Sequence, residues 1–366
     1  MKQKFRFYSL EPILKRECPY NLIIGERSNG KTYSVLKYGL ENYVKNKSQL
    51  AIIRRWDEDL RGNSGAVMFD GLVANKEIEK LTNYDYNGVW YFNRKWYLAY
   101  FEEGERKKTD DTPFAYAFAL TREEHYKSTS YPNIRNILFD EFITRDYYLP
   151  DEFVKFQNLL STIIRLRTDV KIFMCANTVS KDSLYFREMG LKNMLKMQKG
   201  QIDVYEYGNT GLKVAVEYCD IGKQKKESNF YFAFDNPKLK MITNGEWEID
   251  IYPHLPMKYR PKEIKYFYFI EYYETILRCD VVKVGRFAFT YVMRKTTPIH
   301  EDDYRHIVYS TNTSPKPNYR KYINRGVGEV EKILIDFYRK DKVFYQDNDV
   351  GEVVRNYFSF CGINLN

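Results

Sequence analysis

The stretch Gly25-Glu26-Arg27-Ser28-Asn29-Gly30-Lys31-Thr32 decides the fold of this chain. It matches the phosphate-binding pattern G-x-x-x-x-G-K-[ST] at every fixed position. Residues 21–24 precede it as a short apolar strand, and residues 33–43 follow it with the spacing of a helix. Because the motif needs a strand before it and a helix after it, the sequence predicts a P-loop in an α/β domain.

Each residue type in this motif has a physical reason to be there. Gly25 and Gly30 allow backbone angles that turn successive N–H groups toward phosphate oxygens at the start of the helix. Lys31 adds a positive charge at the β- and γ-phosphates, and the hydroxyl of Thr32 suits Mg²⁺. We therefore predict that all eight residues bind nucleotide, with ATP and Mg²⁺ as ligands.

A second strand ends in two carboxylates. Residues 136–139 are apolar and run into Asp140 and Glu141. Open parallel sheets bind ligands at the carboxyl ends of their strands, so Asp140 is predicted to hold Mg²⁺ and Glu141 to polarise the attacking water. Such a pair also occurs by chance at strand ends, and it is the preceding P-loop that favours a catalytic role.

Polar residues at the ends of two further strands leave alternatives open. Asn177 follows the strand 170–175 and either senses the γ-phosphate and orients the water or caps its loop. Arg54 and Arg55 end the strand 50–53, and they either contact nucleotide or DNA phosphates or form structural ion pairs.

Two arginines end an amphipathic helix that is predicted at residues 151–167. Arg165 and Arg167 are of the type that spreads positive charge over a phosphoryl transition state. Arginines also favour the negative end of a helix, so a solvated helix face is the alternative.

The arrangement of elements predicts two domains. Strands alternate with helices in the first part, which indicates a central, mostly parallel sheet, and an aromatic hairpin is predicted at 89–101. Residues 1–195 form the P-loop ATPase domain. Residues 196–229 contain several glycines and a basic cluster and are interpreted as a connecting region, and residues 230–366 as a smaller, mixed α/β domain.

Composition limits the class of protein. The formal net charge of +9 suits a partner that carries phosphate. The 5 cysteines lack the spacing of disulfide or zinc motifs, which predicts a reducing compartment. No apolar stretch approaches about 18 residues, so we expect a soluble intracellular protein with no membrane partner.

The chain resembles the genome-packaging ATPases, or DNA encapsidation proteins, of phi29-like podophages, which are relatives of the large terminases. The resemblance extends over about residues 1–200 and is weaker beyond. The segments that carry the resemblance are GERSNGKT at 25–32, IIRRW at 52–56, YPNI at 131–134, ILFDEFI at 137–143, LLSTIIRLR at 159–167 and CANTV at 175–179.

This resemblance implies an ATPase of the ASCE type. It implies a homo-oligomeric ring, a pentamer in the family, that pumps double-stranded DNA through a portal into an empty capsid. Arg165 resembles the arginine finger that is donated in trans to a neighbouring subunit, with Arg167 as the fallback. Lys127 resembles a pore-facing lysine that contacts DNA, whereas Asp57 stands where the family pattern has another lysine. The protein would act in the host cytoplasm while docked on the procapsid.

The second domain of the family has an RNase H-like fold. In large terminases this domain is a nuclease. Four acidic residues in this part of the chain show no arrangement that requires a metal triad, so we predict that the domain binds rather than cuts. Those residues are Asp250, Glu271, Asp280 and Asp303. A structural RNA is a further partner in some relatives.

Two other classes of function share the nucleotide-binding residues. A helicase or DNA-transfer translocase would use the same P-loop, and an adaptor could hold nucleotide without turnover. Glu141 argues against the adaptor, because a structural nucleotide site has no need of a base. A small-molecule kinase is disfavoured by the long second domain and by the basic composition.

Overall fold

The computed structural model describes residues 8–144, 148–179, 183–208, 210–220, 252–324, 328–363 and 365. The chain divides into two compact units, Met1–Glu248 and Ile249–Asn366. The predicted start of the second domain at residue 230 and the basic cluster of the connecting region lie outside the described residues. In the described part of the chain, no helix has both the length and the apolar content needed to cross a lipid bilayer.

The first unit is built on a large sheet. Its strands are β1 (Tyr20–Gly25), β2 (Gln49–Arg54), β3 (Gly88–Phe92), β4 (Lys95–Glu102), β5 (Glu105–Thr109), β6 (Ala115–Ala119), β7 (Ile134–Asp140), β8 (Lys171–Asn177), β9 (Ile202–Tyr207) and β10 (Leu212–Tyr218). Their order is β3-β4-β6-β2-β7-β8-β1-β10-β9, with β5 paired to β4. Every neighbouring pair from β6 to β10 in this order is parallel. The prediction of a mostly parallel sheet is confirmed.

Helices cover both faces of this sheet. The α-helices are α1 (Glu11–Leu14), α2 (Lys31–Asn46), α3 (Gly62–Ala66), α4 (Asp70–Ala74), α5 (Glu77–Leu81), α6 (Glu152–Ile164) and α7 (Leu184–Glu188). Short 3-10 helices lie at Glu58–Leu60, Val67–Phe69, Leu120–Tyr126 and Met194–Lys196. Alternate residues of β1 point to opposite faces, so Ile23 packs in one core with Val35 of α2, and Ile24 in the other with Phe156 of α6. Two buried faces explain the continuous apolar strands.

Helix α6 is shorter than the helix predicted at 151–167. It ends at Ile164, because Arg165 and Leu166 have φ angles of 46° and 66°. L-residues rarely adopt this left-handed backbone, and two in succession end the helix. The side chain of Leu166 is fully exposed.

The predicted connecting region at 196–229 is corrected over residues 202–218. Strands β9 and β10 form an antiparallel hairpin there, and β10 pairs with β1, the strand that carries the P-loop. Two of the glycines that suggest a linker, Gly208 and Gly211, lie in the turn of this hairpin, where Gly211 has a φ of 65°. The apolar run 214–216 is fully buried against the sheet.

The second unit contains a smaller sheet. Its strands are β11 (Ile264–Tyr272), β12 (Thr275–Val284), β13 (Phe287–Arg294), β14 (Val308–Ser310), β15 (Tyr319–Arg320) and β16 (Val343–Tyr345), and its helices are α8 (Glu329–Arg339) and α9 (Asn348–Phe360), with 3-10 helices at Pro261–Glu263 and Glu301–Arg305. The order is β15-β14-β11-β12-β13-β16. Strands β11, β12 and β13 are antiparallel to one another, and the three short strands are parallel to their neighbours. This is a mixed α/β unit, and the RNase H-like assignment stays a prediction.

Two of the four acidic residues named above, Asp280 and Glu271, have local side-chain partners, whereas only backbone hydrogen bonds are found for Asp303 in the described part of the chain. Asp280 accepts hydrogen bonds from Arg278 Nε at 2.7 Å and from the Tyr259 hydroxyl at 2.9 Å. Glu271 accepts one from the Ser310 hydroxyl at 2.5 Å. Asp250 lies outside the described residues, and a binding rather than nuclease role stays a prediction.

All five cysteines are free and buried. Burial raises the pKa of the Cys18, Cys175, Cys279 and Cys361 thiols above the ordinary value, and it raises the pKa of Cys219 to about 11. These thiols therefore stay protonated at neutral pH.

Candidate active site

The P-loop lies between β1 and α2, as the sequence predicts. Gly30 precedes the first residue of α2 and has a φ of 93°, a backbone conformation that favours glycine. Gly25 is required for a different reason, since a Cβ atom there would overlap the sulfur of Cys219. The two motif glycines thus satisfy one conformational and one steric demand.

A pocket of about 250 Å³ opens at this end of the sheet. It is lined by Ser28, Asn29, Gly30, Lys31, Thr32, Tyr33, Asp140, Glu141, Cys175, Ala176 and Asn177. The structure therefore brings together the P-loop, the acidic pair and Asn177, which come from three separate strand ends. Arg27, which is predicted to bind nucleotide, is exposed and is not among the lining residues.

The ammonium group of Lys31 is held by oxygens of the loop itself. Lys31 Nζ donates to the carbonyl oxygens of Gly25 at 3.3 Å and Glu26 at 2.5 Å, and to the side-chain oxygens of Asn29 at 3.1 Å and Asn177 at 3.2 Å. Burial lowers the pKa of Lys31 below the ordinary value for lysine. The site therefore has a cation whose position is fixed and whose charge phosphate oxygens would stabilise.

Thr32 and Asp140 form the part of the pocket that suits a metal ion. The Thr32 hydroxyl donates to Asp140 Oδ1 at 2.8 Å, and the Asp140 side chain is largely buried at the end of β7. A hydroxyl and a carboxylate are the hard oxygen ligands that Mg²⁺ prefers. These two residues fit the predicted Mg²⁺ site.

Arg54 joins the two carboxylates of the acidic pair. Its Nη1 atom lies 2.8 Å from Asp140 Oδ2, and its Nη2 atom lies 3.1 Å from Glu141 Oε2. Strand β2 pairs with β7, so the residue that follows Ile53 lies beside the residue that follows Phe139. The Glu141 side chain is 60% exposed and its φ is 57°, so it projects from a turn rather than from the strand. Of the two alternatives for Arg54, this ion pairing is the one that the geometry favours.

Arg55 is buried, and of its two alternatives the geometry favours the structural ion pair over contact with phosphates. Its guanidinium donates to Glu152 through Nε at 2.8 Å and Nη2 at 2.9 Å, and to the carbonyl oxygens of Glu141 at 3.1 Å and Phe142 at 2.9 Å. Only 6% of the Arg55 side chain and none of the Glu152 side chain is exposed. The pair fixes the turn that carries Glu141 against the start of α6.

Arg165 and Lys127 lie far from the pocket of their own chain. Arg165 donates to the carbonyl oxygens of Thr129 at 3.0 Å and Lys127 at 3.4 Å, in the segment that leads to the start of β7. The pocket is at the other end of β7, about 20 Å away at the usual rise of a strand. The structure therefore places Arg165 and Lys127 together on an exposed surface at the opposite edge of the sheet.

Arg167 is held by more hydrogen bonds than Arg165, and its assignment as the fallback finger stays a prediction. Its guanidinium donates to five backbone carbonyl oxygens at 2.6–3.1 Å. The acceptors are Tyr131, Pro132, Ile134, Ile163 and Ile164. These bonds hold the end of α6 against the start of β7, so Arg167 has a structural role.

Tyr8 contacts the P-loop, although no motif in the sequence marks it as part of the site. Its backbone N–H donates to the carbonyl of Asn29 at 3.0 Å, and its carbonyl accepts from the Ser34 hydroxyl at 2.6 Å. The Tyr8 hydroxyl donates to Glu217 Oε2 at 2.6 Å, and burial raises its pKa well above the ordinary value. These contacts are long-range in sequence, so no local pattern predicts them.

Comparisons with known proteins bear on the family and the fold of this chain. Residues 2–305 match the family model described as Podovirus DNA encapsidation protein (Gp16). The DNA packaging protein of Bacillus phage PZA is 25% identical over 273 residues, which cover 74% of each chain. In fold, the chain is similar to the phi28 gp11 DNA packaging motor, at 16% identity and a TM-score of 0.54 over 99% of this chain and 100% of that one. It is similar to a chain of the phi29 viral genome packaging motor assembly at 20% identity and a TM-score of 0.54, with 96% of each chain covered.

Proposed function

Since the chain belongs to the podovirus DNA encapsidation protein family, we propose that it is the ATP-hydrolysing subunit of a ring that moves double-stranded DNA into a preformed capsid. The observation that carries this proposal is the convergence of Lys31, Thr32, Asp140, Glu141 and Asn177 on one pocket at the carboxyl edge of a parallel sheet. An edge of this kind is where α/β proteins bind nucleotides.

The pocket is suited to hold a triphosphate as substrate. The P-loop N–H groups and the start of α2 would donate to the phosphate oxygens, and the Lys31 ammonium group is already turned into the loop. Thr32 and Asp140 would hold Mg²⁺, which supplies neutralising charge to the phosphates. Gly25, Glu26 and Arg27 do not line the pocket. The carbonyl oxygens of Gly25 and Glu26 hold Lys31, so these two residues support the site indirectly, whereas Arg27 is exposed and is left out of this assignment.

Glu141 is assigned as the base of the hydrolytic step. A water oxygen attacks the γ-phosphorus, the bond from that phosphorus to the bridging oxygen of ADP breaks, and Glu141 takes the proton of the water. Asn177, whose amide oxygen contacts Lys31 at 3.2 Å, is placed to orient this water. Arg54 holds the Glu141 carboxylate at 3.1 Å, so the base must leave this ion pair before it can act.

Arg165 is assigned as an arginine finger that acts on a neighbouring subunit. It is exposed at the edge opposite to its own pocket, and its φ of 46° projects it beyond the end of α6. A finger of this type contributes a rate factor of about 10³–10⁵ in related phosphoryl transfers. A closed ring of subunits would bring each Arg165 to the pocket of the next subunit.

The assembly is proposed from the packaging motors that the chain resembles. We propose that subunits form a ring, a pentamer by family resemblance, that docks on the capsid portal in the host cytoplasm. Double-stranded DNA is the substrate to be moved, Lys127 is a candidate DNA contact, and a structural RNA is a candidate partner.

The test is DNA-stimulated ATP hydrolysis by two variants and their mixtures. Glu141→Gln removes the base and Arg165→Ala removes the finger, so each alone should lose roughly 10³-fold in rate. Mixed rings contain some interfaces with an intact base and an intact finger, and activity should therefore return on mixing. Arg16→Ala, at an exposed arginine just before β1, serves as the control and should keep the wild-type rate.

Two results would contradict the proposal. Full activity of Arg165→Ala alone would mean a site that is complete within one chain. Absence of hydrolysis by the wild-type chain, with or without DNA, would leave a protein that holds nucleotide without turnover.

A further inference from the structure

A row of aromatic rings crosses the part of the large sheet that is formed by β3, β4 and β6. On β3, the Trp90 ring stacks on Phe92 with 5.0 Å between ring centres, and it lies 5.5 Å from the ring of Tyr97 on β4. Tyr116 of β6 is paired with the first residue of β4, and its ring lies 5.5 Å from that of Tyr131. We call these five residues the aromatic row.

Most of the aromatic row lies outside the cores of the first unit. Tyr91 and Trp96, on the opposite face of β3 and β4, pack in a core, and the Trp96 indole donates to the Gly65 carbonyl at 2.8 Å. Among the residues that the structure describes, neither core of this unit includes Trp90, Phe92 or Tyr97. Phe92 is 58% exposed. A contiguous exposed aromatic face of this kind marks an interaction site.

One end of the row is organised by an arginine. Arg106 lies on β5, which pairs with β4, and its guanidinium carbon is 3.5 Å from the centre of the Trp90 ring. The Arg106 side chain is exposed, so this stacked pair is accessible to a partner. Tryptophan, tyrosine and arginine are the residue types that contribute most to binding energy in protein–protein interfaces.

The other end of the row is continuous with the surface that carries Arg165. Arg165 Nη2 donates to the Thr129 carbonyl at 3.0 Å, and Arg167 Nη2 donates to the Tyr131 carbonyl at 3.1 Å. An arginine that enters a neighbouring subunit needs that subunit to cover the surface around it. Because a stable interface buries about 800 Å² on each partner, the contact must extend well beyond one arginine side chain.

The charges of this surface suit the surface that it would meet. Lys95 Nζ lies 5.8 Å from the centre of the Tyr116 ring, and no ion pair with a carboxylate is found for Lys95, Arg106 or Arg165 within the described ranges. At the mouth of the pocket, by contrast, Arg54 is shared by three carboxylates, and that of Glu141 is 60% exposed. The three carboxylates belong to Asp59, Asp140 and Glu141. A cationic aromatic surface and an acidic pocket mouth are complementary.

We propose that the aromatic row and Arg106 form a subunit interface, and that their partner is a second copy of this chain, which contributes the acidic surface around its pocket mouth. The contact is head-to-tail, since the two surfaces differ, and contacts of that type close into rings. The inference rests on the proposed function for the position of the neighbour, whereas the exposed aromatic row itself is a feature of the structure.

The test is self-association of the full chain, measured by mass photometry over a range of protein concentrations with a DNA duplex and a non-hydrolysable ATP analogue. Phe92→Ser with Arg106→Ser removes one exposed ring and its neighbouring cation. This double variant should need at least about tenfold more protein to assemble. Phe287→Ser with Arg286→Ser removes the same residue types from an exposed turn of the second unit and should assemble as the wild-type chain does.

Hydrolysis separates loss of assembly from loss of chemistry. The Phe92→Ser, Arg106→Ser variant keeps its base and its finger, so DNA-stimulated ATPase activity should be lost at low protein concentration and return at high concentration. Arg165→Ala should assemble at the wild-type concentration and stay inactive throughout.

A single charge change guards against a folding defect. If the double variant melts more than about 2 °C below the wild-type chain, Arg106→Glu and Arg106→Gln replace it, since each alters one exposed side chain. Arg106→Glu should weaken assembly more than Arg106→Gln, because it would place a carboxylate against the acidic mouth of the neighbour.

The ways of failing are distinguishable. If the wild-type chain stays monomeric at every concentration, the proposed ring itself fails. If the wild-type chain assembles and the folded row variants assemble at the same concentration, only the assignment of the aromatic row is wrong. Unchanged assembly together with weaker binding of a labelled DNA duplex would assign the row to nucleic acid instead of a second subunit.

Discussion

Replacing Arg55 by alanine should destabilise the first unit strongly. The substitution removes two bonds to Glu152, at 2.8 and 2.9 Å, and two bonds to carbonyl oxygens, and it leaves a carboxylate with no exposed surface and no cation. Breaking a buried ion pair in this way costs about 3–5 kcal/mol of unfolding free energy. The two missing carbonyl bonds add about 0.5–1.5 kcal/mol each.

The measurement is the melting temperature, followed by tryptophan fluorescence. For a unit of 150–250 residues, about 1 kcal/mol corresponds to roughly 2–4 °C, so the ion-pair term alone predicts a fall of about 6–20 °C. Arg55→Lys keeps the charge but loses the bidentate geometry, so its melting temperature should lie between those of the wild-type chain and Arg55→Ala. Arg55→Met combined with Glu152→Leu removes both charges and should recover much of the stability.

A small effect would refute this reasoning. If Arg55→Ala melts within about 2 °C of the wild-type chain, the pair cannot be carrying the energy assigned to it. An equally large fall in the Arg55→Met, Glu152→Leu double variant would mean that packing, and not the uncompensated charge, is the cause.

Three other substitutions test the site. Arg167→Ala should lower the melting temperature because it removes five hydrogen bonds to carbonyl oxygens. Arg165→Ala should leave the melting temperature nearly unchanged and lower the ATPase activity of the ring. The opposite result in the melting and rate assays would make Arg165 the structural residue and Arg167 the finger. Burial lowers the pKa of Lys31 below the ordinary 10.5, and phosphate favours the charged form of the side chain. Nucleotide affinity should therefore fall as the pH rises through that lowered pKa. A titration with fluorescent nucleotide at several pH values checks this, and Lys31→Arg should remove the decline. Gly25→Ala should abolish nucleotide binding in the same assay, because its Cβ would overlap the sulfur of Cys219, and Cys219→Ala should partly restore binding if this overlap is the cause.

The sequence predicts which residues share the pocket at the P-loop, because the signals for them are local. The P-loop spacing and the apolar strand before Asp140 each fit within a dozen residues, and the parallel sheet brings strand ends to one edge without further information. The positions of Lys31, Asp140 and Asn177 in one pocket are confirmed by the structure.

The residues that the sequence cannot place depend on which strands are neighbours. Arg54 and Arg55 differ by one position, yet one reaches the carboxylates of Asp140 and Glu141 and the other a buried glutamate. Successive residues point to opposite sides of a strand, so the outcome depends on the pairing of β2 with β7, which no local pattern specifies. The hairpin β9–β10 is hidden for a related reason, since its glycines suggest a linker and its partner strand β1 lies far back in the chain.

The burial of all five thiols has a practical use for watching the motor at work. Maleimide dyes react with exposed thiolates, so the native cysteines should take up very little dye at neutral pH. A single new cysteine at Leu166, whose side chain is fully exposed beside Arg165, would then take up one dye per subunit while every native cysteine stays in place. Energy transfer between subunits labelled with donor and acceptor dyes would then test, in real time, whether Arg165 approaches a neighbouring subunit as proposed.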